Sequence, residues 1–376
     1  MKKILILSVS HFWYDSRLFF RVIKSLLKKN NVSESVQVYI KLMTQNSKDN
    51  LQIEVENFEK VFISSKLNRF AVLKSFIKEG LSYQPDIVIC IEPLTLIAGH
   101  ILKKRTQCRF IYDSHEYFAM AFEEKFKYTY SLYWQVEKYF AKKTDAIITV
   151  NKELVQHLSK ANPNTHLCAN YPVKDLFLKN TGETIKKEYD LIYAGGICFE
   201  RGLLQYLQAA RYLKADNIVF TFVIVGVFFE KSTKDFFDNY LKQYHLENSV
   251  IYIPYIPIEQ VLLEIRKSKI GIFMGDITKR PRLDKTLNMK IFEYLSQGIP
   301  VIVNDSTVLK DFVNQTNSGW VIPYSSKELY KLMKQIINKE FDLELIGNEA
   351  KQLVYDKYVW ENQEEVLYNA VFGMKK

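Results

Sequence analysis

Residues 193–202 read YAGGICFERG, and this stretch could bind an anion. Gly195 and Gly196 follow an apolar run, so their backbone amides can come close to a ligand. Arg201 adds a positive charge just before a predicted helix, whose N-terminus carries the positive end of the helix dipole. The segment fits neither the GxGxxG nor the Walker pattern. It therefore predicts a phosphate or diphosphate site, with an ordinary strand-to-helix turn as the alternative.

A second candidate lies in residues 288–301, NMKIFEYLSQGIPV. Lys290 and Glu293 are three residues apart, so they share one face of a helix. A carboxylate near a strand end can accept hydrogen bonds from both hydroxyls of a ribose, and a lysine nearby can neutralise phosphate. The alternative is an exposed ion pair of little energetic value. The apolar residues on either side of Glu293 argue against that alternative.

Two segments of the first half carry further polar candidates. His115 lies in YDSHE at the end of a predicted strand, where it could bind a sugar hydroxyl or a phosphate, or serve only a structural role. Asp15 and Arg17 follow the first predicted strand, and Arg17 could meet an anionic acceptor or lie in solvent. The sequence has no HExxH, and His100 and His157 lack partners at ligand spacing, so no metal site is predicted.

Apolar runs and helical patterns alternate through both halves of the chain. In the first half the predicted strands are KKILILSV, VQVYIKL, KVFIS, DIVICIE, RFIYDS, DAIITV and THLCA, and the predicted helices are 16–29, 67–79 and 130–142. In the second half the strands are YDLIYAGG, IVFTFVIVG, SVIYIPY, KIGIFMG, PVIVND and 319–322, and the helices are 203–213, 234–244, 259–267 and 289–297. This alternation predicts an α/β fold of two Rossmann-like parallel-sheet domains. Such sheets bind ligands at the carboxyl ends of their strands, which are expected to face each other across a cleft.

The composition excludes several classes of protein. Of the 376 residues 48% are hydrophobic and 25% charged, which excludes a disordered or collagen-like chain. The four cysteines form no CxxC pair, which argues against a zinc ribbon, an iron–sulfur cluster or a disulfide scaffold, and favours a reducing cytosol. The best apolar run, residues 218–229, is too short for a membrane span, which needs about 20 residues.

The formal net charge of +10 lies almost wholly in the first half: residues 1–170 hold 25 Lys and Arg against 16 Asp and Glu. An anionic membrane surface, an anionic substrate or nucleic acid could explain this excess, as could a composition that merely keeps the chain soluble. No nucleic-acid motif is present, so no nucleic-acid partner is expected. Residues 117–140 hold ten aromatics, with lysines just beyond, which suits a membrane interface. A core-facing aromatic helix with a solvated basic face is the alternative.

In combination, these motifs resemble those of GT-B retaining glycosyltransferases, specifically glycosyltransferase family 4 (glycosyl transferases group 1). YAGGICFERGLLQYLQAA is similar to the family's donor-phosphate loop, NMKIFEYLSQGIPVIV to its NKxFEYxxxGxPV signature, and IYDSHEYF to its DxHE segment. YVWE, at 358–361, resembles the start of the helix that crosses back to the first domain, and residues 170–172 match the interdomain position. The resemblance implies a GT-B architecture with an acceptor-side domain at 1–172, a linker at 173–189, a donor-binding domain at 190–357 and a crossover helix at 358–376.

The resemblance also implies roles for individual residues. Glu293 would bind the donor ribose, and Arg201 and Lys290 the diphosphate, close to the amides of Gly195 and Gly196. His115 would contact the donor sugar or its phosphate. The implied donor-binding set further includes Tyr255, Ile256, Asn288 and Met289, and the acceptor-side set is Asp15, Arg17 and Glu116. No cofactor and no metal are implied.

Two positions depart from the family's pattern. Lys285 stands where the first of two glutamates is expected, and Gly196 replaces a basic residue. The predicted function is retaining transfer of a sugar from a nucleotide-diphosphate sugar, UDP before GDP, to a glycan or lipid-linked glycan in bacterial surface polysaccharide synthesis. The predicted location is the cytoplasm, with peripheral attachment to the inner face of the membrane left open. A catalytically silent partner subunit and a nucleotide-sugar epimerase remain alternatives.

Overall fold

The computed structural model describes residues 1–11, 13–14, 16–32, 37–45, 54–177 and 185–373. It divides into two compact units, Met1–Asn170 with Trp360–Lys376, and Tyr171–Val359. Residues 178–184 of the predicted linker lie outside the described residues, as does Asp15 of the predicted acceptor-side set.

The described residues of the first unit form a seven-stranded parallel sheet in the order β3–β2–β1–β4–β5–β6–β7. Its strands are β1 (Lys2–Ser8), β2 (Val38–Thr44), β3 (Phe58–Phe62), β4 (Ile87–Cys90), β5 (Arg109–Ser114), β6 (Ala146–Thr149) and β7 (Thr165–Leu167). Its helices are α1 (Lys24–Val32), α2 (Arg69–Tyr83), α3 (Pro93–Thr106), α4 (Phe118–Lys125), α5 (Tyr130–Ala141) and α6 (Lys152–Leu158). A π-helical turn, Leu18–Ile23, precedes α1 inside the helix predicted at 16–29.

The second unit contains a six-stranded parallel sheet in the order β10–β9–β8–β11–β12–β13. Its strands are β8 (Tyr189–Ala194), β9 (Phe222–Val225), β10 (Val250–Ile253), β11 (Ser268–Phe273), β12 (Val301–Asn304) and β13 (Gly319–Ile322). Its helices are α7 (Lys174–Phe177), α8 (Leu203–Ala215), α9 (Lys231–Gln243), α10 (Ile258–Arg266), α11 (Met289–Ser296), α12 (Thr307–Thr316), α13 (Ser326–Ile337) and α14 (Leu343–Lys357).

Hydrophobic patterning explains why the predicted strands form. The central residues of β1, Ile4 to Leu7, are fully buried, because helices cover both faces of a parallel sheet. Every residue of the strands β6, β9 and β12 is buried in the same way. The predicted strand at 218–226 is shorter in the structure, since β9 pairs with β8 only from Phe222 onward. The predicted α/β class with two parallel sheets is confirmed.

The last helix, α15 (Glu364–Phe372), belongs to the first unit. Trp360 is buried just before it and donates its indole N–H to the Ser25 hydroxyl at 2.7 Å. The Arg109 guanidinium of β5 donates to the carbonyl of Ala370 at 2.9 Å. These contacts fix the end of the described chain on the first sheet. Among the described helices, none combines the length and the apolar character needed to cross a bilayer.

Candidate functional site

The order of the second sheet changes direction between β8 and β11. The chain runs outward from β8 to β9 and β10 on one side, and from β11 to β12 and β13 on the other. Loops leaving two such strands diverge and open a crevice at their carboxyl ends, which is where open parallel sheets bind ligands. The glycine pair after β8 and the start of α11 both lie at this position.

Gly195 makes room for the ammonium group of Lys290. A Cβ atom at residue 195 would lie 1.7 Å from Lys290 Nζ, and the φ of +139° is one that favours glycine. The Gly195 amide donates to the Val225 carbonyl at 2.7 Å, so it is engaged in the sheet rather than available to an anion. The expectation that both glycine amides face a ligand is therefore wrong for Gly195, which instead gives space to the lysine.

The start of α11 holds Lys290 in place. The Asn288 side chain caps this helix by accepting from the Lys290 amide at 3.1 Å, so Asn288, predicted to bind the donor, also has a structural task. Within the described residues, the Lys290 ammonium forms no ion pair. Burial, aided by the charge of Arg201, lowers the pKa of Lys290 to about 8, against the opposing effect of Glu293. An anion beside Lys290 would relieve this cost.

Arg201 points its guanidinium at the same glycine loop. Its Nη1 donates to the Gly196 carbonyl at 3.4 Å, and that carbonyl also accepts from the Tyr193 hydroxyl at 2.6 Å. Its Nε is buried and has no hydrogen-bond partner in the described part of the chain. The Gly196 carbonyl is therefore occupied by two donors, while the buried Nε–H of Arg201 has no acceptor within the described residues.

Phe229 occupies the space beside Gly196. A Cβ at residue 196 would lie 2.3 Å from the Phe229 ring, and the Arg201 guanidinium carbon lies 5.2 Å from the centre of that ring. The family's basic residue at position 196 is thus replaced by an aromatic ring that supports Arg201. Sequence reasoning missed Phe229. The available signal was an aromatic residue three positions after Gly226, where β9 ends.

Glu293 lies on α11 between two well-fixed aromatic residues. Phe292 is buried, and the Tyr294 hydroxyl accepts from the Ala194 amide at 2.9 Å, which ties α11 to the end of β8. The Glu293 side chain is half-buried, and its carboxylate has no hydrogen-bond or ion-pair partner among the described residues. It therefore keeps its full capacity to accept hydrogen bonds.

The other predicted donor-binding residues are partly or largely exposed to solvent. Tyr255 and Ile256 follow β10; Tyr255 is 77% exposed and Ile256 packs partly on the core. Met289 is partly buried, and Lys285 is exposed in the turn before α11. Within the described residues no group of three or more His, Cys, Asp or Glu could hold a metal ion.

Comparisons with known proteins find a family model and several proteins that are similar to this chain. Residues 177–353 match the family described as "Glycosyl transferases group 1". The match lies within the second unit and covers slightly less than half of the chain. An uncharacterized glycosyltransferase of Methanocaldococcus jannaschii is 21% identical over 46% of this chain and 42% of its own length. The chain spans less than half the length of the curated relatives it matches.

Solved structures show the fold of the entire chain. A sucrose-phosphate synthase from Thermosynechococcus elongatus aligns with a TM-score of 0.75 and 14% identity, covering 99% of this chain and 100% of its own. Anabaena HepE, solved with UDP-glucose, aligns with a TM-score of 0.72 and 14% identity over 100% of both chains. The predicted fold class, two parallel α/β sheets, is shared with these structures.

The first unit also gathers polar residues where its strand order changes direction, between β1 and β4, but they satisfy one another. Arg17 is only 3% exposed and donates to both oxygens of the buried Asp113, at 2.6 and 3.3 Å, and to the Asn170 side chain at 2.6 Å. The alternative that Arg17 lies in solvent is wrong, because its guanidinium is buried and paired. Its contact with an anionic acceptor stays a prediction. Glu116 is exposed.

His115 lies beside this cluster, and its buried Nε2 makes no hydrogen bond within the described residues. Its Nε2 lies 2.9 Å from Asp113 Oδ2, and its ring is 4.9 Å from that of His11 in an edge-on arrangement. Burial lowers the pKa of His115, against the opposing effect of Asp113. Burial would raise the pKa of Asp113, but Arg17 and His115 more than offset it and hold that pKa well below its usual value. His115 is thus a buried imidazole beside a carboxylate. In the second unit, by contrast, Lys290 and Glu293 form no ion pair within the described residues.

Proposed function

We propose that this chain is a retaining glycosyltransferase that takes a sugar from a nucleotide-diphosphate sugar. The observation that carries the proposal is a set of charged groups near the ends of β8 and β11 that have no ion-pair partner among the described residues: the ammonium of Lys290, the guanidinium of Arg201 and the carboxylate of Glu293. Two cations suit a diphosphate, and a carboxylate suits the two hydroxyls of a ribose.

A UDP-sugar is the favoured donor, with a GDP-sugar as the second choice. The support for UDP is that structures of the similar Anabaena HepE were solved with UDP and with UDP-glucose. No metal is needed for this donor in the proposal, because Lys290 and Arg201 supply the positive charge that a diphosphate requires.

In the proposed reaction the bond between the sugar and the diphosphate breaks through an oxocarbenium-like transition state. The leaving diphosphate gains negative charge at that moment, and Lys290, Arg201 and the N-terminus of α8 stabilise it. The acceptor hydroxyl attacks from the face of the leaving group and passes its proton to the departing diphosphate, and the anomeric configuration is retained. His115 contacts the donor sugar or its phosphate in this proposal.

The proposed acceptor is a glycan or a lipid-linked glycan of bacterial surface polysaccharide synthesis, used in the cytoplasm at the inner face of the membrane. The support for this acceptor is the excess of Lys and Arg in residues 1–170, which would attract an anionic, lipid-diphosphate-linked glycan. A catalytically silent partner subunit is the second candidate. Lys285 favours it, because the family's first signature glutamate is missing there.

The first experiment is a thermal-shift panel with UDP, GDP, CDP and ADP in the presence of EDTA. A ligand that binds only the folded chain raises the melting temperature by mass action. We expect a shift with UDP that Glu293→Ala abolishes and that the control Glu247→Ala, an exposed glutamate of the same unit, retains. A folded protein that shifts with none of the four diphosphates would overturn the proposal.

A second measurement separates the transferase from the silent subunit. Release of UDP from UDP-sugars is followed with glycan acceptors, and the anomeric configuration of the product is read by NMR. Transfer with retention supports the proposal. Binding of UDP without any release of UDP in the presence of acceptors would favour the silent subunit.

A further inference from the structure

Helix α5 presents apolar side chains on two opposite faces. On the inner face Trp134 and Phe140 pack against the core of the first unit. On the outer face Leu132, Val136 and Tyr139 are 71%, 48% and 57% exposed. Their spacing of four and then three residues places these three side chains in one row along the helix. The inner face is already filled, so the outer apolar row is surplus to the packing of this unit.

The turn between α4 and α5 extends the same apolar surface. Phe126 is 49% exposed and Tyr128 is 93% exposed. The Glu123 carboxylate accepts from the amides of Tyr128, Thr129 and Tyr130 at 2.8, 2.7 and 2.7 Å, which fixes the turn and lowers the pKa of Glu123. Tyr128 has a φ of +65°, a conformation that glycine or asparagine adopts at less cost. A bulky aromatic side chain is thus held in solvent at a position where its backbone favours a small residue.

Lysines surround these apolar side chains. Lys125 and Lys127 flank Phe126, and Lys142 and Lys143 follow the end of α5; all four are exposed. Within Tyr130–Ala141 the only acidic residue is Glu137, which is buried and accepts from the Tyr112 hydroxyl at 2.7 Å. The acidic groups near the turn are Glu123, bound to three amides, and the exposed Glu124. The exposed charge around the row is therefore mainly positive.

We propose that this surface docks on an anionic lipid bilayer. The α4–α5 surface consists of Phe126, Tyr128, Leu132, Val136 and Tyr139 with Lys125, Lys127, Lys142 and Lys143. Aromatic and aliphatic side chains enter the boundary between headgroups and acyl chains, while lysines meet the anionic headgroups. A second copy of the chain is the poorer partner, because a symmetric contact would bring the same lysines together. The proposal does not depend on glycosyl transfer.

Flotation with vesicles tests this surface. The full chain is mixed with vesicles of phosphatidylcholine alone or of phosphatidylcholine with phosphatidylglycerol. We expect binding only to the anionic vesicles, and weaker binding in high salt. Lys142→Gln/Lys143→Gln should lower the partition coefficient about 30-fold, since each lysine near the membrane contributes about 1 kcal/mol. Leu132→Gln/Val136→Gln/Tyr139→Gln should lower it at least about tenfold.

Matched controls come from α2 of the same unit. Phe70→Ser removes an aromatic residue that is 85% exposed, and Lys74→Gln/Lys78→Gln removes two exposed lysines. We expect these variants to bind as the natural chain does. The proposal fails if the natural chain does not bind anionic vesicles, or if the controls lose as much binding as the α5 variants. It also fails if sedimentation shows a dimer that the α5 variants convert to monomers. The nucleotide thermal shift of each variant is independent of these outcomes.

Discussion

The carboxyl edges of the two sheets use similar residues in opposite ways. In the first unit Arg17 and Asp113 are buried and bound to each other, and Glu92 accepts from Ser8 and Ser10. In the second unit the charged groups of Lys290, Arg201 and Glu293 keep unused hydrogen-bonding capacity. Each edge lies where the strand order of its sheet changes direction.

This difference shows that buried charged side chains can serve two roles, stabilising the fold or binding a ligand. Charges that satisfy one another contribute to the integrity of the fold, and removing one partner leaves the other stranded. Charges that the fold leaves open have a cost in the free protein, which a ligand of opposite charge can relieve. The same type of substitution should therefore affect stability at one edge and ligand binding at the other.

The largest effect is expected for Asp113→Ala. It strands the buried Arg17 guanidinium, so the free energy of unfolding of the first unit should fall by about 3–5 kcal/mol. Urea denaturation measures this fall. Glu59→Ala is the matched control, since its ion pair with Lys41 is partly exposed, with 43% of the Glu59 side chain accessible, and should cost at most about 1 kcal/mol. A loss as small as that of the control would show that the Arg17–Asp113 pair is not structural.

The next effect is expected for Lys290→Met, which should weaken UDP binding without destabilising the chain. Loss of a charged hydrogen bond corresponds to about a 10–100-fold rise in Kd. The melting temperature of the free protein should stay the same or rise, because a desolvated ammonium is removed. Calorimetric titration and thermal melts measure the two quantities, with Lys231→Met, an exposed lysine of α9, as the control. A lower melting temperature of the free Lys290→Met variant would show that Lys290 stabilises the fold, as Arg17 and Asp113 do.

A smaller effect is expected from pH. The pKa of Lys290, lowered to about 8 by burial, means that the ammonium loses its proton near that pH in the free protein. Binding of UDP should weaken as the pH rises through about 8. The unfolded chain keeps this proton up to the ordinary lysine pKa, which is higher. The free energy of unfolding of the free protein should therefore rise as the pH increases from about 8 towards that ordinary value. Titrations on both sides of this pH test it, and Lys290→Arg should remove the step because arginine stays charged.

The smallest effect is expected for Phe229→Ala, which removes the ring beside Arg201. The Kd for UDP should rise about 2–5-fold, the value of an exposed cation–π contact. Adding Gly196→Arg to this variant should recover binding, since the space beside residue 196 is then free for a basic side chain. Val219→Ala, at a residue that is 89% exposed, serves as the control. If Phe229→Ala binds UDP with an unchanged Kd, Phe229 is not part of the binding site.

Most of the strands could be predicted from the sequence because buried parallel strands are continuous apolar runs. The run ILIL in β1 and the run IVIC in β4 are examples. The positions of Lys290 and Glu293 on one helix were equally accessible, since helical spacing is local. The π-helical turn at Leu18–Ile23 was not predictable in this way, because it shares the apolar pattern of an ordinary helix.

Local sequence patterns were enough to predict the α/β class, the two parallel sheets and the segments that contain the candidate site, because each depends on residues close together in the chain. Which charges are paired and which are not became clear only from the packed fold. Arg17 and Asp113 are 96 residues apart in sequence, and Gly195 and Lys290 are also distant. Strand order brings such residues together, and the role of Gly195 follows from the lysine that reaches it. The pairing of a charge is a property of the packed sheet and not of the motif that contains it.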